Sequence, residues 1–98
     1  MTPPYFFNEW FIEGHLVEAL EAYVREGRPL GDFLQAVVAN DLKGAAGRAD
    51  DTNIRQLPAF AAYIYNEMPS PSQGSFEKYD AWIAKHATTR FTPKGDPA

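Results

Sequence analysis

Midway along the chain the large apolar side chains thin out, and Asn40-Asp41-Leu42-Lys43-Gly44-Ala45-Ala46-Gly47-Arg48-Ala49-Asp50-Asp51-Thr52-Asn53 alternates small residues with charged ones. Two cations beside glycine and alanine, followed by a helix start at Asp51 to Asn53, are the ingredients of an anion-binding surface that a flat ligand can approach closely. The same residues also serve plain helix packing through small side chains, with Arg48 paired to Asp41, Asp50 or Asp51. The order of glycine, lysine and hydroxyl residue does not fit a phosphate loop. Further on, Tyr63, Tyr65 and Asn66 have the means to stack on or hydrogen-bond a base, although their spacing also suits a core stripe ending in a polar cap. The candidate ligand- or partner-binding set is Asn40, Asp41, Lys43, Arg48, Asp50, Asn53, Tyr65 and Asn66.

No comparable case exists for catalysis. His15 and His86 are the two histidines and fall near opposite ends of the chain, so a metal site built on both needs a fortunate fold and a carboxylate partner. Ser70, Ser72 and Ser75 cluster without a histidine nearby in sequence, and Ser75 already suits a helix cap. Glu18 with Glu21, and Asp50 with Asp51, are acidic pairs of the kind that solvate helix faces and cap helix starts. A hydrolase built on Asp41, Asp50 and either histidine is the weakest of the readings. The expectation is a protein that is not an enzyme, with no catalytic residue, no metal ligand and no cofactor.

The elements that must position these residues are helical by periodicity. Leu16, Leu20, Tyr23 and Val24 form an apolar stripe, with Glu18, Glu21, Arg25 and Glu26 opposite. The spacing predicts one helix over about Glu9 to Glu26, weakened at Gly14, with Phe7, Trp10 and Phe11 as a separate turn in the alternative. Gly27 supplies a left-handed stop, and a second helix runs from Pro29 or Gly31 to Ala39. Asp41 caps a short third helix, Leu42 to Ala49, whose Gly44 and Gly47 each lower its stability by about 1 kcal/mol relative to alanine. Asp50 or Asp51 caps a longer one to Glu67, unless Pro58 marks its true start near Leu57. Met68 to Gly74 is a loop by composition, and Ser75 caps a last helix carrying Phe76, Tyr79, Trp82 and Ile83. Residues 5–86 are therefore expected to form one domain, followed by a flexible tail over 87–98.

The fold class expected is all-α, a single-domain bundle of four to five helices with an aromatic-rich core. A chain of 98 residues buries roughly 60–65% of its unfolded surface, a margin that self-association would widen. Tyr5, Phe6, Phe7, Trp10 and Phe11 must be covered either by the fold itself or by a second subunit. The net charge of −4 argues against affinity for double-stranded nucleic acid. With no cysteine, disulfides, thiolate zinc sites and cysteine nucleophiles are excluded together. No apolar run reaches the roughly 18–20 residues of a membrane span and no signal-peptide pattern opens the chain, so the expected location is the cytoplasm.

The stretch from Tyr23 through Gly27, Pro29, Gly31, Phe33 and Leu34 to Asn40-Asp41-Leu42, then Gly47-Arg48-Ala49-Asp50, Tyr65-Asn66-Glu67-Met68-Pro69 and Gly74-Ser75, resembles a group of short proteins encoded by bacteriophages and prophages. The resemblance covers roughly residues 16–86. It departs at Ser72-Gln73, where the group has Cys-Trp, and at the aromatic N-terminus. It implies a phage origin, the host bacterial cytoplasm, and action by stoichiometric binding rather than turnover. Two functions follow as expectations. One is a counter-defence or host-takeover protein that binds a host protein through its acidic surface. The other is a homo-oligomeric sponge for a small, anionic, nucleotide-like immune signal. A sponge needs Lys43 and Arg48 turned into a concave pocket, whereas a protein binder needs its carboxylates outward and unpaired.

Overall fold

The computed structural model describes residues 2–91. Two short strands, β1 (Tyr5–Phe7) and β2 (Trp10–Ile12), precede six helices: α1 (Gly14–Glu26), α2 (Asp32–Val38), α3 (Leu42–Arg48), α4 (Asp51–Arg55), α5 (Leu57–Glu67) and α6 (Phe76–Phe91). A single 3-10 turn, Ser70–Ser72, lies in the loop between α5 and α6.

The hairpin corrects two expectations, the purely all-α class and a first helix beginning at Glu9. Tyr5 pairs with Ile12, Phe6 with Phe11 and Phe7 with Trp10, antiparallel. The reversal falls on Asn8, whose φ of 56° is a left-handed conformation that asparagine tolerates better than most residues. Alternation then sends Tyr5 and Ile12 inward and Phe6 outward. The Tyr5 ring meets Tyr63 of α5 edge-on at 5.1 Å, while Phe6 stays 67% exposed. The amide of Phe11 donates to the Gln56 side-chain oxygen at 2.8 Å, closing the outer edge of β2. The first residue of α1 is Gly14, where the Thr2 carbonyl occupies the space a Cβ would need.

The helices follow the sequence more closely. Gly27, at φ 67°, ends α1 and donates its amide to the Tyr23 carbonyl. Asp41 caps α3 by accepting from the Gly44 amide at 3.0 Å, and Asp50 caps α4 by accepting from the Asn53 amide at 2.7 Å. The long helix expected between Asp51 and Glu67 breaks at Gln56, and Pro58 becomes the second residue of α5, where its missing N–H has no helical partner to lose. Ser75 caps α6 through the Lys78 amide. That helix continues to Phe91, beyond the expected end at His86; of the tail expected over 87–98, residues 92–98 lie outside the described residues.

The core gathers on Tyr23, which is fully buried with Leu20, Phe60, Ile12 and Val38. Its ring stacks on Tyr79 at 5.3 Å. Its hydroxyl donates to the Ser72 carbonyl at 2.7 Å, and its own carbonyl accepts from the Trp82 indole at 2.9 Å. The Tyr79 hydroxyl accepts from the Leu30 amide at 2.9 Å and from the Gln35 side chain at 3.2 Å. Aromatic residues with a polar tip thus fill the interior and satisfy the backbone groups that turns leave behind. Burial, then Tyr79 and Asp80, push the Tyr23 hydroxyl far above the usual tyrosine range, so it remains a donor. Among the described residues no helix is long and apolar enough to cross a membrane.

Candidate functional site

Where α2 ends, the backbone turns sharply. Ala39 and Asn40 close the helix, Asn40 at φ 63°, and the Asp41 amide returns to the Ala36 carbonyl at 2.9 Å. The Gly74 amide, arriving from the loop before α6, donates to the Val38 carbonyl at 2.8 Å. The end of α2 is thereby pinned on one side by α3 and on the other by the loop. Between these walls and α5 lies a cleft of about 380 Å³.

Its floor is apolar. Val37 and Val38 come from α2, Ala45 from α3, and Leu57, Phe60, Ala61 and Ile64 from α5, with Leu42 of α3 at the edge. Its rim is polar, formed by Asn40, Asp41, Tyr65, Gln73 and Gly74. Leu42 is 73% exposed and Tyr65 88% exposed, so two large side chains stand at the opening without cover from the fold. This volume lies at the small end of the roughly 300–1,000 Å³ of ligand clefts. An apolar floor with a few polar groups at the lip holds an apolar side chain or ring and orients what is attached to it.

Three of the eight residues singled out from sequence meet here: Asn40, Asp41 and Tyr65. Lys43 and Arg48 are exposed on α3 and line no part of this cleft. Asp50 and the half-buried Asn53 are occupied with capping α4. Asn66 is exposed and turned away from the cleft lining. Leu42, Ala61, Ile64 and Gln73 are not in that set; the periodicity of an apolar stripe such as Leu57, Ala61 and Ile64 is the same whether the face is filled or open.

Ala45, in the small-residue run, is buried where α3 packs on α2, but the two glycines flanking Ala45-Ala46 meet nothing outside α3 and its cap. A Cβ on Gly44 would collide with the Asp41 carboxylate and approach the Arg48 Nη1 to 3.2 Å, whereas one on Gly47 would meet nothing within 4 Å. Gly44 therefore makes room for the cap of its own helix. Among the described residues the ion pair formed is Arg28 with Glu26 at 2.5 Å, and Arg48 pairs with none of Asp41, Asp50 or Asp51. Asp41 spends one oxygen on the Gly44 amide and carries its charge on the cleft rim without a cationic partner.

His86, Ser72 and Ser75 have local structural partners. His86 Nδ1 lies 3.0 Å from the Trp82 carbonyl, and His15 is exposed on α1. The Ser72 hydroxyl donates to the Pro69 carbonyl at 2.6 Å. Against known protein families, curated proteins and solved structures, the chain has no match.

Proposed function

We propose that this protein is a non-enzymatic binding module that acts stoichiometrically on another protein, taking an apolar anchor of its partner into the cleft between α2, α3 and α5. The observation that carries this reading is the open apolar floor flanked by exposed Leu42 and Tyr65. Asp41 is the charged residue of the lining and forms no ion pair among the described residues, although the Arg48 guanidinium lies near it across Gly44. The partner segment that complements this cleft is therefore an amphipathic one, a leucine or phenylalanine followed closely by lysine or arginine. The partner in this reading is a host protein, and the setting is counter-defence or host takeover by a phage-encoded protein. The exposed hairpin ring of Phe6 is where a second copy would add to the assembly.

The alternative, a sponge for a nucleotide-like anion, has less support. It requires Lys43 and Arg48 in a concave site, and both are exposed outside the cleft while a carboxylate stands on its rim.

The test is a photo-crosslinking residue placed at Ala61, inside the cleft, and at Glu18, on the exposed face of α1, in the cell that makes the protein. The expected result is one discrete protein adduct from position 61, absent from position 18 and lost when Leu42→Asp places a charge at the opening. The same set of adducts from both positions, or none from position 61, refutes it. Native mass spectrometry of the purified protein covers the alternative, since a sponge would carry a small bound mass per site.

A further inference from the structure

On the neighbouring face of α5 lies a second cleft, of about 270 Å³, bounded by Glu21, Val24 and Arg25 of α1 and by Tyr63 and Glu67 of α5. Its chemistry differs from that of the apolar cleft. Tyr63 is 6% exposed, with its ring held edge-on by Tyr5. Its hydroxyl makes no hydrogen bond to the described residues, yet no fully enclosed side-chain oxygen is left without a partner among them. The hydroxyl therefore opens into the cleft, a polar group at the end of an otherwise buried side chain and without a protein partner among the described residues. Two carboxylates, Glu21 and Glu67, stand against one guanidinium, Arg25, which leaves the lining one negative charge in excess. Arg25 is turned along its own helix, with Nε donating to the Glu21 backbone carbonyl at 3.4 Å, and it forms no ion pair with either glutamate.

We propose that this cleft is a subsite for a primary alkylammonium group, held by the Glu21 and Glu67 carboxylates and the Tyr63 hydroxyl, with its hydrocarbon chain along Val24. An ammonium has three N–H donors and no acceptor, which matches a lining that offers two carboxylates and one phenol. An anion is repelled by the two carboxylates. A hard metal ion wants six or more oxygens, and among the described residues no group of three metal-ligating side chains occurs. A guanidinium is planar and prefers a single carboxylate in a two-pronged contact, leaving the phenol unused. One bound monocation also balances the excess charge of the lining. Burial first, then Glu21 and Glu67, push the Tyr63 hydroxyl up to about 12, against a smaller lowering by Arg25. It is therefore protonated at neutral pH, free to accept from the ammonium and to donate to a glutamate.

Butylammonium chloride is the probe, titrated into the whole protein at constant ionic strength and followed by two-dimensional NMR. The expected result is saturable binding with a dissociation constant on the order of millimolar, with shifts centred on Glu21, Tyr63 and Glu67. Tyr63→Phe keeps the ring in the core and should weaken binding about 10-fold, the scale of a hydrogen bond to a charged group. Glu67→Gln, on an exposed side chain at the end of α5, should do the same without bearing on the core. Arg25→Gln should tighten it, a sign that a merely structural role does not produce. Tetramethylammonium, with the charge but no N–H donor, should not saturate. Putrescine and Nα-acetyl-lysine methylamide separate the two sources of such a group: whichever binds tighter assigns the site to a free polyamine or to a lysine of a protein. Absence of saturable butylammonium binding, equal binding of tetramethylammonium, or indifference to both Tyr63→Phe and Glu67→Gln overturns the proposal. None of these outcomes bears on the apolar cleft, whose lining is separate.

Discussion

Replacing Tyr23 by phenylalanine removes one oxygen from the centre of the molecule and should loosen the wall of the apolar cleft. The ring remains and keeps its stacking on Tyr79, so no cavity of consequence opens and the loss is that of the bond to the Ser72 carbonyl. Ser72 is fully buried, so water has no route to replace the donor. An acceptor orphaned in this way costs about 1–3 kcal/mol, a large share of the roughly 5–15 kcal/mol that stabilises a domain. For a loss of about 2 kcal/mol, a chain of this size should melt roughly 8–16 °C lower, with an unchanged urea m-value. The loss should also be local. Ser72 is followed by Gln73 and Gly74, which wall the cleft, and Gly74 is tied to α2 through the Val38 carbonyl. Hydrogen exchange at the Gly74 amide should therefore accelerate more than at the Leu30 amide, which Tyr79 holds independently. Urea titration by tryptophan fluorescence together with native-state exchange tests both parts. A destabilisation below about 0.5 kcal/mol, the floor for an ordinary net hydrogen bond, would refute the role given to this hydroxyl, and equal acceleration at both amides would refute the local coupling.

The two glycines of α3 should respond with opposite tendencies. Gly47→Ala enters open space and should stabilise by roughly 0.5–1 kcal/mol, whereas Gly44→Ala displaces the Asp41 cap and should show no gain on urea denaturation. Gly27→Ala places a Cβ on a residue at φ 67° and should cost about 1–2 kcal/mol, read as a lowered urea midpoint with unchanged far-ultraviolet circular dichroism in the folded baseline. Tyr63 carries a pH dependence. Its folded value is raised from 10.0 to about 12, so the stability it contributes is intact below pH 10 and drains as pH climbs through that interval. The slope is about 1.4 kcal/mol per unit at most, and Tyr63→Phe should flatten this alkaline limb in urea midpoints measured against pH.

How far the sequence reaches depends on how local each signal is. Asp41, Asp50, Ser75 and Gly27 act within four residues of themselves, and all four cap or stop a helix as their types predict. Pro58 resolves in the same local terms, as a helix start. The hairpin was hidden because its alternation is masked: Phe6 and Phe11 point outward and Tyr5, Phe7, Trp10 and Ile12 share the other face, so both faces are apolar and no period of two is left to detect. The turn carries Asn8-Glu9 instead of the Asn-Gly that announces a hairpin. The apolar cleft was out of reach for a different reason. Its walls come from residues 36–45, 57–65 and 73–74, and whether a stripe such as Leu57, Phe60, Ala61 and Ile64 is covered depends on how those segments meet. Glu21, Arg25 and Glu67 likewise read as ordinary helix-face residues, and Tyr63 as a stacking or core residue, until α1 and α5 are set side by side.

The three hydrogen bonds at the centre, from Tyr23 to Ser72, Leu30 to Tyr79 and Trp82 to Tyr23, span 49, 49 and 59 residues of chain. The last helix and the turn before it bring the donors and acceptors that the first helix and the turn after it have waited for. Chain entropy for all these closures must be spent before any of them returns energy. During synthesis, the first seventy residues can coil locally but cannot seal their interior until α6 has left the ribosome. Folding thus waits on α6, and until that helix emerges Tyr23 and the Leu30 amide stay open to water and to whatever chaperone meets the nascent chain.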